Sequence, residues 1–223
     1  MKIGLVYAMT GEIESLLTQE NAQPLQTVAG VPFYQIRPDI IACAGGVSKV
    51  NAAMATQLLI SLYQPDLVLN AGVAGCFENM PIGSIVLAEG FLQHDVDTTP
   101  LGDPIGLVST VNRVQFPTSD LDRARAAMDR VGVPYRTGWV ATGDWFATDT
   151  PRAHWIAAPY HPLLCDMEGC ADAQVCLRNN VPFMSVKSVS DSLFEHHDFV
   201  FNFPTAMQDL NRVVMAFVDQ LEA

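Results

Sequence analysis

The sequence predicts an α/β fold: a single-domain three-layer sandwich over residues 1–223, with a mixed, mostly parallel central sheet flanked by helices. Three observations carry that prediction. Short apolar runs of strand length alternate with apolar stripes at helical spacing along the whole chain. No linker, low-complexity segment or internal repeat divides it. Hydrophobic residues make up 49% of the 223 residues and charged ones only 16%, enough to bury a sizeable core.

Taken in order, Ile3–Tyr7 is a near-continuous apolar run, as expected of a strand covered on both faces. Thr10 can cap a helix with Ile13, Leu16 and Leu17 facing inward. Glu12 falls in its first turn, where an acid often serves only the helix dipole. Residues 22–44 are punctuated by Pro24, Gly30 and Pro32 and read as a meander of short strands. Two glycines then precede Ser48, a second candidate cap. Val50, Met54, Leu58 and Leu62 form the stripe of the helix that follows. Leu67–Ala71 reads as a buried strand ending in a glycine loop, Gly72-Val-Ala-Gly75, and Ile82–Ala88 as the next strand.

His94 opens a long polar excursion to Gly106 holding three aspartates. They lack facial-triad or two-metal spacing, so the expectation is no metal. Ser119 is a candidate cap for a helix with Leu121, Met128 and Val131 inward and Gly132 at its end. A strand follows over 137–141 and leads to Thr142-Gly-Asp-Trp-Phe146. An aromatic there is core filling or a platform for a flat heterocycle. Residues 151–162 suit a short helix and loop. Met167 and Glu168 stand at the start of a helix that Asn179, Asn180 and Pro182 stop. Phe183–Val189 is an interior strand ending in Ser190-Asp191. Open α/β sheets bind ligands beyond the carboxyl ends of their strands, which makes Glu168 and Asp191 candidates for one site. Met207, Leu210, Val214, Phe217 and Leu221 share one face of a final helix, with Pro204 near its start.

Composition excludes several partners. A net charge of −12 argues against nucleic acid and anionic membranes. The opening apolar run is too short for a signal peptide or membrane span. Five cysteines, without framework or zinc spacing, read as reduced thiols of a cytoplasmic protein.

The motifs together resemble the methylthioadenosine/S-adenosylhomocysteine nucleosidases of the purine nucleoside phosphorylase superfamily. They are Ala8-Met9…Glu12, Gly46-Val-Ser-Lys-Val, Asn70-Ala-Gly-Val-Ala-Gly75, His94-Asp-Val-Asp, Thr142-Gly-Asp-Trp-Phe146, Met167-Glu168 and Ser190-Asp191. No one of them is decisive; their order and spacing are. The resemblance implies a nucleoside phosphorylase-like fold and hydrolysis of the adenine–ribose bond of a 5′-modified adenosine, with no cofactor. It implies a role in nucleoside catabolism and methionine salvage. It assigns Asp191 as the acid that protonates adenine N7, Glu12 as the group that activates water, and Glu168 as the carboxylate that grips the ribose hydroxyls. Met167 would line the sugar, Phe146 would stack on adenine, and the Ala147 backbone would read the base edge. Met9, Val47 and Phe201 match the apolar wall around the 5′ substituent; local sequence suits plain core packing equally well. A homodimer is implied, with the 94–106 loop near the partner's site.

The chain also departs from that pattern. Lys187 replaces an arginine, keeping the charge without the bidentate fork. Val73 replaces a serine near the attacking water. Leu101 and Asp103 stand in a segment where the family carries aromatic residues, which bears on the 5′ preference. Two other readings stay open on the sequence: a phosphorylase using phosphate, disfavoured because residues 44–48 and 72–75 contain no arginine, and a nucleoside-binding protein without catalysis.

Overall fold

The computed structural model describes residues 1–146, 150–194 and 199–222, with the backbone alone at 150 and 199–201. In chain order, β1 (Ile3–Tyr7) leads to α1 (Thr10–Gln19). The meander is β2 (Gln23–Val28), β3 (Val31–Arg37) and β4 (Ile40–Ala44). Next come α2 (Lys49–Tyr63), β5 (Leu67–Cys76), β6 (Ile85–Gln93), a 3-10 turn at Thr99–Leu101 and β7 (Gln115–Pro117). Then follow α3 (Leu121–Val131), β8 (Tyr135–Thr142), α4 (Thr150–Tyr160), β9 (Leu164–Asp166) and α5 (Gly169–Asn179). The chain ends in β10 (Phe183–Ser192), α6 (Phe199–Met207) and α7 (Leu210–Glu222).

β1 lies inside the sheet, parallel to β4 on one side and β5 on the other. Its alternation sorts the layers. Ile3, Leu5 and Tyr7 join a core with α1, α3 and α7, whereas Val6 joins a second core with α2 and α5. Among the described residues the sheet is mixed, with five parallel and five antiparallel strand pairs, the two longest registers, β5–β10 and β6–β8, being parallel. It does not stay open. β5, β9, β8, β6 and β10 pair in turn, and β10 pairs back on β5, closing a ring of five strands. The carboxyl ends of β1, β5 and β10 meet at one rim of this ring.

Several local expectations are corrected. Residues 72–75 are no loop: they lie within β5, paired with β10. The strand expected from Ile82 begins at Ile85. Thr10 is the first residue of α1, and Met9 occupies the cap position. For α3 the cap is Asp120, whose side chain accepts from the Arg123 N–H at 3.3 Å. The Ser119 hydroxyl oxygen accepts instead from the Phe183 N–H at 3.0 Å. Pro204 and Met207 belong to α6, and the final helix begins at Leu210.

The largest correction concerns α2. Its inner face is Ala52, Ala55, Thr56, Leu59 and Ile60, whereas Val50 is 74% exposed and Leu62 is also on the outside. Small residues win the inner face because the helix packs closely. A Cβ on Gly4 would come within 2.5 Å of the Leu59 side chain, and one on Gly45 within 2.5 Å of Ala55 Cβ. Leu59→Ala is therefore expected to lower unfolding stability by about 2–5 kcal/mol, measured by urea denaturation. Val50→Ala should cost clearly less; equal losses would mean that the faces are assigned wrongly.

Candidate active site

A cleft opens at the rim where β1, β5, β9 and β10 end and α2 and α5 begin, lined by apolar side chains and a few convergent carboxyl groups. Glu12 enters it from the first turn of α1. Its Oε2 accepts from the Ala8 and Met9 N–H groups at 3.1 and 2.8 Å, and its Oε1 accepts from the Val73 N–H at 2.9 Å. This contact explains Gly72, where a Cβ would come within 2.6 Å of Glu12 Oε1. Burial pushes the Glu12 pKa up; the Met9 and Val73 amides, Lys187 and the Ala8 amide pull it back without cancelling the effect. A buried carboxyl with a raised pKa and an oxygen in a cleft can take a proton from water.

Glu168 stands at the N-cap of α5. Its Oε1 accepts from the Ser48 N–H at 2.8 Å, and its Oε2 from its neighbour's Met167 N–H at 3.3 Å. Burial, and then the nearby Asp166 carboxylate, push it up to about 8. Asp166 accepts three hydrogen bonds: from the Thr142 hydroxyl at 2.5 Å, the Gly169 N–H at 3.1 Å and Lys187 Nζ at 3.0 Å. Lys187 is buried. Burial lowers its pKa, but the carboxylates of Asp166, Glu168 and Glu12 outweigh that and leave it raised. Below them, Asp172 accepts from the Thr56 hydroxyl at 2.6 Å and the Asn70 amide at 3.0 Å, and burial lifts it to about 7.

Asp191 reaches the cleft from β10. The β10–β5 register slips between Val189 and Asp191 and sets Asp191 beside Gly75. A Cβ on Gly75 would lie 3.1 Å from Asp191 Oδ2. The Ser190 hydroxyl donates to Asp191 Oδ1 at 2.6 Å. Glu12 thus packs on Gly72 and Asp191 on Gly75, about 10 Å apart along an extended strand. Both carboxyl groups line the same cleft.

The structure brings Met9, Glu12, Val47, Val73, Met167 and Glu168 to this cleft, together with Phe146, Ser190 and Asp191. Phe146 is half exposed at its mouth. Lys187 is not among the lining residues; it lies behind them on Asp166. Ala147 and the Phe201 side chain fall outside the described residues. Sequence reasoning missed Asp166 and Trp145, which also line the cleft. Asp166 is two residues before Glu168 on the approach to the same helix, a position that could have flagged it. The Asp residues of the 94–106 loop have local roles. Asp95 pairs with Lys49, Asp97 accepts from Thr99, and Asp103 accepts from the Thr98 hydroxyl. Among the described residues no group of three or more His, Cys, Asp or Glu is arranged to hold a metal.

Residues 2–219 match the phosphorylase superfamily. A 5′-methylthioadenosine/S-adenosylhomocysteine nucleosidase of Shewanella loihica is 37% identical over 199 residues, 86% of either chain. The solved structure of a nucleosidase of that name from Colwellia psychrerythraea, in complex with adenine, is 31% identical. Its TM-score is 0.88, covering 99% of this chain and 96% of that one. A futalosine hydrolase of Helicobacter pylori superposes with a TM-score of 0.91 over 99% of this chain and 98% of that one, at 24% identity. At that identity the likeness is one of fold.

The raised pKa of Glu168 has a stability signature. The unfolded carboxyl ionises near 4.5 and the folded one near 8, so the folded state holds the extra proton between them. Stability contributed by that proton is lost as pH rises through this window and changes no further above it. Glu168→Gln should remove this part of the decline. Urea unfolding at pH 5, 6.5 and 8 would show the variant gaining on the parent as pH rises. Taking the difference between the two proteins cancels the similar slope from Asp172. Parallel profiles would contradict the protonation assigned to Glu168.

Proposed function

This chain belongs to the phosphorylase superfamily, among the methylthioadenosine/S-adenosylhomocysteine nucleosidases, and on that premise we propose that it hydrolyses the adenine–ribose bond of a 5′-modified adenosine. One observation favours water over phosphate as the nucleophile. The described residues lining the cleft include four carboxyl groups, Glu12, Asp166, Glu168 and Asp191, and no lysine, arginine or histidine. Lys187 is committed to Asp166 behind them. A phosphate dianion would find no cationic partner among these residues.

In this reading Asp191 gives its proton to adenine N7 as the bond to C1′ breaks. Glu12, across the cleft, takes a proton from water as its oxygen bonds to C1′. The products are neutral adenine and the free 5′-modified ribose. Glu168 holds the ribose hydroxyls and stabilises the positive charge that develops on the sugar. Phe146, with Trp145 beside it, offers the base an aromatic face. Met167 packs on the sugar, and Met9 and Val47 on the 5′ group. Val73 brings no hydroxyl, and its N–H is already given to Glu12, so the water is aimed chiefly by the carboxylate.

The same reading makes the chain a cytoplasmic homodimer serving nucleoside catabolism and methionine salvage. Its five cysteines are free and buried, which suits a reducing compartment. Among the described residues no helix is long and apolar enough to cross a membrane. Val47, Val50 and Leu62 on and before α2 are exposed, and Leu101 is 81% exposed, a set of apolar side chains suited to a partner. The 94–106 loop would then approach the partner's site.

Two measurements test this. Adenine release from methylthioadenosine, S-adenosylhomocysteine, 5′-deoxyadenosine, aminofutalosine, adenosine and inosine should proceed in phosphate-free buffer and gain nothing from phosphate. Asp191→Asn should lower kcat by about 100- to 10,000-fold with the fold retained. Release only with phosphate would make the protein a phosphorylase, and binding without release would make it a nucleoside-binding protein. Light scattering should give twice the chain mass of 24.3 kDa; a monomer would overturn the dimer.

A further inference from the structure

Helix α2 has no side-chain cap of its own. Ser48, at its N-cap, takes a φ of 91° and makes no capping bond. Two carboxylates from distant parts of the chain satisfy its first amides instead. Glu168 accepts from the Ser48 N–H, and Asp144 Oδ1 accepts from the Lys49 N–H at 2.9 Å. Asp144 immediately precedes Trp145 and Phe146, which line the cleft.

Asp144 is held in turn. Its own N–H donates to Asp95 Oδ2 at 2.9 Å, and Asp95 Oδ1 accepts from Lys49 Nζ at 2.6 Å. Lys49, Asp95 and Asp144 therefore close a ring of three hydrogen bonds that begins and ends on Lys49. Lys49 Nζ also donates to Gln93 Oε1 at 3.0 Å, and the Gln93 amide donates to Gln174 of α5 at 3.0 Å. His94 fills the notch under Gly143, where a Cβ would fall within 2.3 Å of its ring, and meets Trp145 edge-on at 6.1 Å. The Arg152 guanidinium lies over the Trp145 ring, 4.5 Å from its centroid.

We propose that Lys49, Asp95 and Asp144 are positioning residues for the nucleobase. They fix the Trp145–Phe146 segment to the same helix end that holds Glu168, so base platform and ribose carboxylate share one reference. None of the three lines the cleft; they act through Trp145 and Phe146. The inference rests on the reading of the cleft as an adenosine site.

The ring makes an asymmetric prediction. Both Asp95 oxygens accept from donors, so Asp95→Asn sets an amide N–H₂ against one of them and breaks the ring. Asp144 uses one side-chain oxygen, which asparagine retains. The test is adenine binding by calorimetry and kcat and KM with methylthioadenosine, on the full chain. Asp95→Asn and Asp144→Ala should each weaken adenine binding about tenfold or more and raise KM by more than they lower kcat. Asp144→Asn should recover the affinity lost in Asp144→Ala. If Asp95→Asn does not fold, the Asp144 pair carries the test. Parent-like adenine affinity in Asp95→Asn or Asp144→Ala, with only the melting temperature lowered, overturns the inference. So does an Asp144→Asn variant as impaired as Asp144→Ala. A parent chain that binds no adenine and releases none overturns the functional reading itself, and this inference with it.

Discussion

The buried ion pair between Lys187 and Asp166 is the constraint on which the site depends. Asp166 takes hydrogen bonds from Thr142 of β8, Gly169 of α5 and Lys187 of β10, so one carboxylate ties three elements to β9. Removing one partner of such a pair typically costs about 3–5 kcal/mol, because a buried charge is left uncompensated. The pair also sets the electrostatics of the cleft. An arginine could reach two carboxylates with a planar fork, whereas an ammonium here bonds one. Glu12 and Glu168 feel Lys187 only through space, and burial is left free to raise both.

A second constraint is the absence of side chains along β5. Glu12 and Asp191 both pack against its backbone, at Gly72 and Gly75, at distances that a Cβ would violate or crowd. In sequence, Gly72-Val-Ala-Gly75 reads as a loop because glycine clusters mark turns. Nothing local distinguishes a glycine that permits a turn from one that admits a carboxylate from another element. The strand is kept regular by its parallel pairing with β10, and that pairing joins residues more than a hundred positions apart.

What was legible follows the same division. Apolar runs bounded by turn residues gave β1, the meander, β10 and the alternation of layers, because their signal is local. The carboxylates at strand ends were legible as a class, since the carboxyl ends of parallel strands gather at one rim. Caps were not. Met9 stands at the start of α1 because Glu12 folds back to its N–H, and α2 borrows Glu168 and Asp144 from distant elements. Thr10, Ser48 and Ser119 were plausible caps that longer-range hydrogen bonds displaced. Trp145 carries no local signal of its own, for its setting depends on His94 and Arg152 packed against it.

Helix α2 shows that a misassigned face still carries information. Its stripe of Val50, Met54, Leu58 and Leu62 has good helical periodicity, and its other face is richer in alanine. Large side chains would normally win the core. Here the core side is set by how closely α2 must approach Gly4 and Gly45, which only small residues and Leu59 permit. Val50 and Leu62 are left exposed at the two ends of the helix. Met54 and Leu58 still pack against the second core from the flank of the helix, while Val50 and Leu62 stay outside it. The periodicity thus marks the helix correctly and misplaces its buried face by about a quarter turn, because close approach, not side-chain size, selects which residues go inward.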